Sequence, residues 1–272
     1  MNFQTKLNKS IEKNNSLLCV GLDSEFEKIP EEIKKKKNPQ FEFNKSIIEN
    51  TFDLVCVYKP NPAFYEARGV NGITELKMTC DYLKEVYPEI PIIIDAKRGD
   101  IGNTNKGYAK FVFEYLGADA ITVMPYMGIE SLATFYRYED KGVILGVHSS
   151  NPGAKEFQEL KIDGRPLYHI VAEELVKQHG DNPNAMIFMG ATYPEEIASV
   201  RKIIKDMTML VPGVGAQGGD VKTFVEAGKN SKGRGLMINS SRKIIFASSG
   251  NDFAEVARQE AEKLRSEINS YR

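Results

Sequence analysis

The sequence has only three cysteines, Cys19, Cys56 and Cys80, and no two of them form a Cys-x-x-Cys pair. A disulfide framework or a thiol redox motif would need such pairs at recognisable spacings. Two of the three lie inside apolar runs, where a small buried thiol packs well. We therefore predict that all three cysteines are reduced and structural.

The sequence also lacks an excess of charge of either sign and any long apolar segment. Its 36 Lys and Arg residues nearly balance 37 Asp and Glu residues, so the formal net charge is −1. This balance argues against nucleic-acid binding, and a hydrophobic content of 42% argues against disorder. No run reaches the roughly 18 apolar residues that span a bilayer, and no signal-peptide core is present. We predict a cytoplasmic protein that binds neither nucleic acid nor membrane.

Eight short apolar runs alternate with longer amphipathic segments along the chain. The runs are SLLCVGLD, DLVCVYKP, IPIIIDAK, DAITVMP, GVILGVHS, AMIFMGAT, TMLVPGVG and GLMINSS. They are nearly continuously apolar, as parallel strands covered on both faces should be. Eight strand–helix units in 272 residues predict a (β/α)8 TIM barrel, a fold of roughly 250 residues. A doubly wound open sheet is the alternative.

The chain has no shift in composition and no low-complexity linker that would divide it. We therefore predict one TIM-barrel domain over residues 1–272. The segments 24–43 and 151–166 are longer than ordinary strand-to-helix loops. We interpret both as insertions over the mouth of the barrel.

Polar side chains recur at the ends of the predicted strands, which is the functional face of a TIM barrel. They follow strands one, two, three, five, seven and eight: Asp23, Lys59, Asp95, Lys97, Ser149, Ser150, Gln217 and Arg242. Any one of them could simply be a strand end that meets water. Their recurrence at six strand ends indicates a functional site.

The third strand ends in the charged stretch IIIDAKRGD. Side chains alternate along a strand, so Asp95 and Lys97 share one face and Ala96 lies on the other. Because Ala96 is small where a covering helix would pack, we expect the charged pair to point into the barrel. Lys59 and Asp100 can extend this pair into an array of two acids and two lysines, whose opposite charges compensate for burial. An ion pair that only caps the barrel is the structural alternative.

Two segments near the carboxyl end suggest an anion site. VPGVGAQGGD contains four glycines before a predicted helix, and INSSRKI places hydroxyl groups and Arg242 after strand eight. Backbone N–H groups in glycine-rich loops bind anions, and TIM barrels often hold phosphate after strands seven and eight. A glycine loop alone is more often a tight turn. Together with Arg242 it favours a phosphate site.

The histidines are weaker candidates. His148 and Met124 lie within predicted strands and are interpreted as packing residues, whereas His169 and His179 lie on a helix-like stretch and are interpreted as surface or groove residues. The spacing of His, Cys and carboxylate residues contains no metal-ligand motif. We predict no metal and no other cofactor.

The motifs around this array resemble those of one enzyme family. Asp95-x-Lys97-x-x-Asp100-Ile101 followed by Thr104 resembles the signature of the orotidine 5′-phosphate decarboxylases. KPNPAFYEARG, SSNPGAKEFQ and PGVGAQGGD resemble the longer bacterial branch of that family and occur in its order. The resemblance extends from Asp23 to Arg242. It implies decarboxylation of orotidine 5′-monophosphate to UMP in pyrimidine biosynthesis, without metal or cofactor.

The resemblance also assigns roles to individual residues. It implies that Lys97 protonates C6, that Asp95 faces the departing carboxylate, and that Lys59 and Asp100 complete the array. Asp23 is expected to bind ribose, and Gln217 and Arg242 the phosphate. The pyrimidine is assigned to Ser150, although Ser149 stays open as the contact. The full set of expected substrate-binding residues is Asp23, Ile101, Thr104, Ser150, Asn151, Pro212, Gln217, Ser241 and Arg242.

The family resemblance further implies a homodimer in which Asp100, Ile101 and Thr104 reach into the partner subunit's site. Two other functions stay open at this point. One is a magnesium-dependent decarboxylase of the 3-keto-gulonate 6-phosphate type, and the other is a catalytically silent barrel that binds a nucleotide. An intact array of four charges argues against the silent barrel.

Overall fold

The computed structural model describes residues 1–190, 194–213 and 221–272. A sheet of eight parallel strands forms its centre, and every strand lies within one of the eight apolar runs, except that the third ends one residue later. The strands are β1 (Leu18–Val20), β2 (Val57–Tyr58), β3 (Ile93–Arg98), β4 (Ala120–Val123), β5 (Gly142–His148), β6 (Ala185–Met189), β7 (Met209–Pro212) and β8 (Leu236–Ser240).

The sheet closes into a barrel. Its strand order is β2, β1, β8, β7, β6, β5, β4, β3, with parallel pairing throughout. The two end strands meet where Tyr58 bridges to Ile92 and where the Asp95 N–H donates to the Pro60 carbonyl at 3.0 Å. The predicted (β/α)8 barrel is confirmed, and the open-sheet alternative is wrong.

Helices connect the strands and cover the outside of the barrel. The last helix shows why helices cover the barrel, because its apolar residues recur every three or four positions and form one buried face. These residues are Phe253, Ala257, Ala261, Leu264 and Ile268. The α-helices in the described residues are α1 (Phe3–Asn14), α2 (Glu31–Lys34), α3 (Pro39–Thr51), α4 (Ala63–Glu66), α5 (Gly69–Val86), α6 (Gly102–Ala109), α7 (Ala133–Tyr136), α8 (Ala154–Phe157), α9 (Leu167–His179), α10 (Pro194–Ile204), α11 (Val221–Gly228), α12 (Arg242–Ile245) and α13 (Phe253–Asn269).

The two long segments both follow the carboxyl end of a strand. Segment 24–43 follows β1 and contains α2 and the first residues of α3. Segment 151–166 follows β5 and contains α8 and a small hairpin of Lys161–Ile162 with Arg165–Pro166. Their function as covers of the mouth stays a prediction.

The three cysteines are buried and free of disulfides, as predicted. Burial raises the pKa of the Cys19 thiol to about 12, so this thiol stays protonated at neutral pH. Within the described ranges, no helix has both the length and the apolar character to cross a membrane.

Candidate active site

The end of β3 departs from regular strand geometry at Lys97. This residue has a φ of +47°, and the pairing of β3 with β4 shifts register between Ile94 and Arg98. The Lys97 N–H donates to Thr122 Oγ1 at 2.9 Å, which holds this backbone conformation. A left-handed conformation is unfavourable for a residue with a side chain, and such strain is concentrated at functional sites.

Asp95 is the centre of the charged array. Its Oδ1 accepts hydrogen bonds from Lys97 Nζ at 2.5 Å and from Thr122 Oγ1 at 2.9 Å. Its Oδ2 accepts one from Lys59 Nζ at 3.0 Å. Burial alone would raise the pKa of this carboxyl, but the charges of Lys59 and Lys97 outweigh it and hold the pKa well below its usual range. Asp95 is therefore ionised at neutral pH.

Lys59 is the buried cation of the array, with a side chain only 2% exposed. Its Nζ lies 3.9 Å from Asp23 Oδ1 in addition to its contact with Asp95. Burial would lower the pKa of this ammonium, but the charges of Asp23 and Asp95 outweigh it and the pKa is raised. Lys59 thus stays charged and fixes the position of both carboxylates.

Lys97 differs from Lys59 in its exposure. Its side chain is 46% exposed, and its Nζ also lies 5.5 Å from the centre of the Phe188 ring on β6. Within one chain, the positive charges of Lys59 and Lys97 balance the negative charges of Asp23 and Asp95, so the array needs no further ion to be neutral. Of the two ammonium groups in the array, the one on Lys97 is the one that a substrate in the mouth of the barrel can reach. We call Asp23, Lys59, Asp95 and Lys97 the charged array.

Asp100 does not join this array within its own chain. Its Oδ1 accepts the N–H of Ile101 at 2.6 Å, and its backbone is held by Asn105, whose amide also donates to the Ser131 carbonyl at 2.8 Å. Within a single chain, Asp23 is therefore the second acid beside Lys59, and the expectation that Asp100 completes the array from the partner subunit stays a prediction. Ile101 is 58% exposed, and Thr104 is also exposed.

Three of the expected phosphate-side residues lie at the carboxyl ends of β7 and β8. Pro212 pairs with Asn239, whose amide donates to Ser241 Oγ at 3.4 Å. Gly21 leaves room for Ser241, because a Cβ atom at position 21 would lie 1.9 Å from that Oγ. Arg242 is exposed. Its guanidinium has no hydrogen bond or ion pair within the described chain. Gln217 and most of the glycine-rich loop lie outside the described residues.

The expected pyrimidine contacts follow β5. The Ser149 N–H and Oγ are both bonded to Gln158, and the Oγ also donates to Asn151 at 2.7 Å. Ser150 packs against Gly190, where an added Cβ would lie 2.5 Å from the Ser150 nitrogen. Ser149 is thus engaged with segment 151–166, and the assignment of the pyrimidine contact to Ser150 stays a prediction.

A second polar cluster was missed by the sequence interpretation. His148 at the end of β5 is 2% exposed, and its two ring nitrogens face Glu159 and Glu196 at 3.5 and 3.4 Å. Burial lowers the pKa of His148, and burial with the charges of Glu159 and Glu195 raises the pKa of Glu196 to about 7. No spacing motif indicates this cluster, since its members lie on three separate elements.

Thr122, Asn105 and Phe188 were also missed, although each positions part of the array or its neighbouring loop. Thr122 had the clearest signal, because it is the only polar residue in the β4 stretch AITV. Asn105 and Phe188 had none, since an amide in a polar helix and an aromatic ring in an apolar strand are ordinary.

The fold and the array together define a (β/α)8 barrel that carries fixed charges at the carboxyl ends of its strands. Comparison with known proteins agrees: residues 16–258 match the Orotidine 5'-phosphate decarboxylase / HUMPS family. The chain is a member of this family.

The relatives of the chain are similar along its whole length. It is 48% identical to the orotidine 5'-phosphate decarboxylase of Cellvibrio japonicus, over 99% of this chain and 98% of the relative. It is 44% identical to that of Ralstonia pickettii, with both chains fully covered. The structure of Leishmania donovani OMP decarboxylase superposes with a TM-score of 0.86 at 36% identity, covering 100% of this chain and 99% of that one. These similarities do not favour the keto-gulonate phosphate decarboxylase or the silent barrel.

Proposed function

We propose that the chain decarboxylates orotidine 5′-monophosphate to UMP in pyrimidine biosynthesis, with the charged array as its catalytic centre. The observation that supports this most is Asp95, which is ionised, buried and held between two ammonium groups in a member of the decarboxylase family. An array of this kind presents both charges to a substrate without moving, so its stabilisation of a transition state requires little reorganisation.

Lys97 is the proton donor in this proposal. The bond between C6 of the pyrimidine and its carboxylate breaks, the electron pair stays on C6, and carbon dioxide leaves. A proton then passes from Lys97 Nζ to C6, and the neutral amine is later reprotonated by water. The ammonium interacts more strongly with the charge that develops on C6 than with the starting carboxylate, and this difference lowers the barrier.

Asp95 and Lys59 prepare the site for this step. Asp95 lies 2.5 Å from Lys97 Nζ and would face the substrate carboxylate. Repulsion between the two carboxylates falls as carbon dioxide leaves, which favours the transition state over the bound substrate. Lys59 keeps Asp95 ionised and in place.

The other predicted residues hold the remote parts of the substrate. Asp23, next to Lys59, would accept hydrogen bonds from the ribose, and Ser150 would contact the pyrimidine. At the other end, Arg242 would bind the phosphate as a charge-assisted contact. The remaining members of this proposed set are Asn151, Pro212, Gln217 and Ser241.

The proposed reaction is tested by the absorbance change of orotidine 5′-monophosphate after addition of the purified chain. We expect turnover of the phosphorylated nucleotide and much slower turnover of orotidine, because phosphate binding energy contributes to catalysis. A chain that is folded by circular dichroism but leaves the absorbance unchanged would contradict the proposal.

We further propose that the chain acts as a homodimer in which Asp100, Ile101 and Thr104 enter the partner subunit's site. Two observations support this arrangement. Asp100 accepts the N–H of Ile101 and forms no ion pair with a lysine of the described chain, and Ile101 is exposed, as are Tyr126 and Met127, which follow the neighbouring strand β4. A C2 dimer would place each such loop beside the other subunit's mouth.

Subunit exchange between Lys97→Ala and Asp100→Ala tests this dimer. Each variant is expected to be nearly inactive alone. Random exchange puts half of the dimers in mixed form, and a shared site then leaves one of their two sites intact. About a quarter of wild-type activity should therefore return.

Heterodimers are counted by mass spectrometry of the intact assembly in the same mixture. If they are present and the mixture stays inactive, Asp100 serves its own subunit and the shared-site proposal is wrong. That result would leave the role of Lys97 unaffected, because both variants would still carry one defect in every site.

A further inference from the structure

His148 is a buried polar side chain without the partners that burial normally demands. Its side chain is 2% exposed, and neither ring nitrogen has a hydrogen bond within the described residues. Buried polar groups nearly always have such a partner. The ring is aimed at two carboxylates, one from segment 151–166 and one from α10. We call His148, Glu159 and Glu196 the His–Glu cluster.

The nearest separations in the His–Glu cluster are longer than hydrogen bonds. His148 Nε2 lies 3.5 Å from Glu159 Oε1, and His148 Nδ1 lies 3.4 Å from Glu196 Oε2, beyond the usual hydrogen-bond range of about 2.7 to 3.2 Å. One ion can take only one of the two ring nitrogens, so the glutamate that faces the other nitrogen must turn toward the ion. Two ligands at about 2.0 to 2.1 Å from a tetrahedral metal ion are about 3.4 Å apart. One potential ligand atom from each residue lies within 4.8 Å of the others. Side-chain adjustments of about 1.5 Å or less would complete three positions around one ion.

The charge of the cluster also favours a cation. In the described part of the chain, Glu159 and Glu196 form ion pairs within 4.0 Å only with His148. Lys155 acts on Glu196 from further away, whereas Glu159 and Glu195 act in the opposite sense. When both carboxylates are ionised and the imidazole is neutral, the three residues carry two negative charges in a partly buried space, and burial with the neighbouring carboxylates raises the pKa of Glu196 to about 7. The charged array, by contrast, is already neutral.

We propose that His148, Glu159 and Glu196 bind one divalent transition-metal ion, for which Zn²⁺ is the probe. One imidazole nitrogen and one oxygen from each glutamate are ligands that Zn²⁺ commonly takes, and water fills the fourth position. The side chains of Glu159 and Glu196 are 30% and 21% exposed, so an ion can reach them from solvent. The ion would join segment 151–166 and α10 to the end of β5, next to Ser149.

Calorimetric titration of untagged, chelator-treated protein with Zn²⁺ tests this site. We expect one ion per chain in the wild type. Glu159→Gln and Glu196→Gln should each weaken binding by about tenfold or more, because each removes a negatively charged ligand. Zn²⁺ at about 100 times the wild-type Kd should raise Tm by about 5 °C in the wild type and by about half as much or less in the Glu159→Gln and Glu196→Gln variants.

Glu195→Gln is the matched control, because Glu195 is exposed on the same helix next to Glu196. This variant should keep wild-type affinity within about twofold. Equal affinity in wild type, Glu159→Gln and Glu196→Gln would place the ion elsewhere and overturn the proposal. Absence of saturable binding up to about 1 mM Zn²⁺ in folded wild type would overturn it as well, and would leave protons as the partners of these groups. The two glutamine variants keep the test decisive even if a His148 variant fails to fold.

Discussion

The charged array and the His–Glu cluster lie at the ends of different strands of one barrel and handle burial in opposite ways. In the array, each buried carboxylate faces an ammonium group, and the pKa of Asp95 falls well below its usual range. In the cluster, two carboxylates face a neutral imidazole, and the pKa of Glu196 rises to about 7. Burial opposes charge in both places, but only the array supplies its own counterions.

This difference separates a site whose charges already compensate one another from a site that needs a bound cation or proton. A charge pair that is complete in the free protein can act on a substrate at once. A cluster with uncompensated charge gains from binding, so it suits a ligand and not a reaction step. Arg242 is the reverse case, an exposed cation with no ion pair in the described chain, and its role in phosphate binding is a proposal.

Lys97→Ala should have the largest effect on the charged array, because it removes the cation of the array that a substrate can reach. We expect kcat to fall by about 100-fold or more, the usual loss for a catalytic acid, while UMP binding stays measurable. Steady-state kinetics and calorimetry with UMP measure the two effects. Lys9→Ala, at an exposed lysine of α1, is the control. If Lys97→Ala kept more than about a tenth of wild-type kcat, another residue would have to deliver the proton.

Asp95→Asn would test whether the array is balanced in the free protein. It leaves the buried Lys59 with Asp23 as its remaining anion, so the free energy of unfolding in urea should fall by about 3 kcal/mol. Asp140→Asn, at an exposed carboxylate, should change it by less than about 0.5 kcal/mol.

The same variant has an expected pH dependence. The folded pKa of Asp95 is depressed, so its contribution to stability is present above the unfolded value of 3.8 and is lost as the pH falls through the folded value. The stability gap between wild type and Asp95→Asn should therefore be constant from about pH 8 to pH 5 and shrink below about pH 4. If the difference in stability between wild type and Asp95→Asn already shrank between pH 8 and pH 5, Asp95 would not be held ionised by its neighbours.

Arg242→Ala would sharpen the comparison at the phosphate end. We expect a loss of about 1.5 to 3 kcal/mol in transition-state stabilisation, seen mainly in kcat/KM, because one charge-assisted contact is removed. Orotidine without its phosphate serves as the control substrate and should be insensitive to the substitution. If the substitution lowered kcat/KM equally for both substrates, Arg242 would not be the residue that binds the phosphate.

Glu196→Gln in chelator-treated protein should give the smallest effect, with the opposite pH dependence to Asp95. The folded pKa of about 7 lies above the value of 4.5 in the unfolded chain, so this group's stability contribution is present below pH 4.5 and lost as the pH rises through 7. The variant should thus gain stability relative to wild type between pH 5 and pH 8, by about 1 kcal/mol at most, because the carboxyl is partly exposed. Urea unfolding at the two pH values measures this, and a relative loss would contradict the assigned burial.

Much of the barrel and the centre of the array could be predicted, because both depend on short-range patterns. Continuous apolar runs located all eight strands, and two-residue alternation put Asp95 and Lys97 on one face. The left-handed φ of Lys97 could not be predicted, since it depends on a register shift against β4 and on the hydroxyl of Thr122. The direction of the loop that carries Asp100 could not be predicted, because it is set by tertiary contacts such as those of Asn105.

The central claim is that the charged array supplies the cation for decarboxylation and needs no metal ion. Turnover of orotidine 5′-monophosphate by exhaustively chelated protein tests this most directly, at a temperature well below Tm so that loss of an ion from the His–Glu cluster cannot unfold the chain. We predict that kcat and KM are unchanged in EDTA, because Lys97 occupies the position of the electrophile. Loss of turnover in EDTA that magnesium restores would contradict the account.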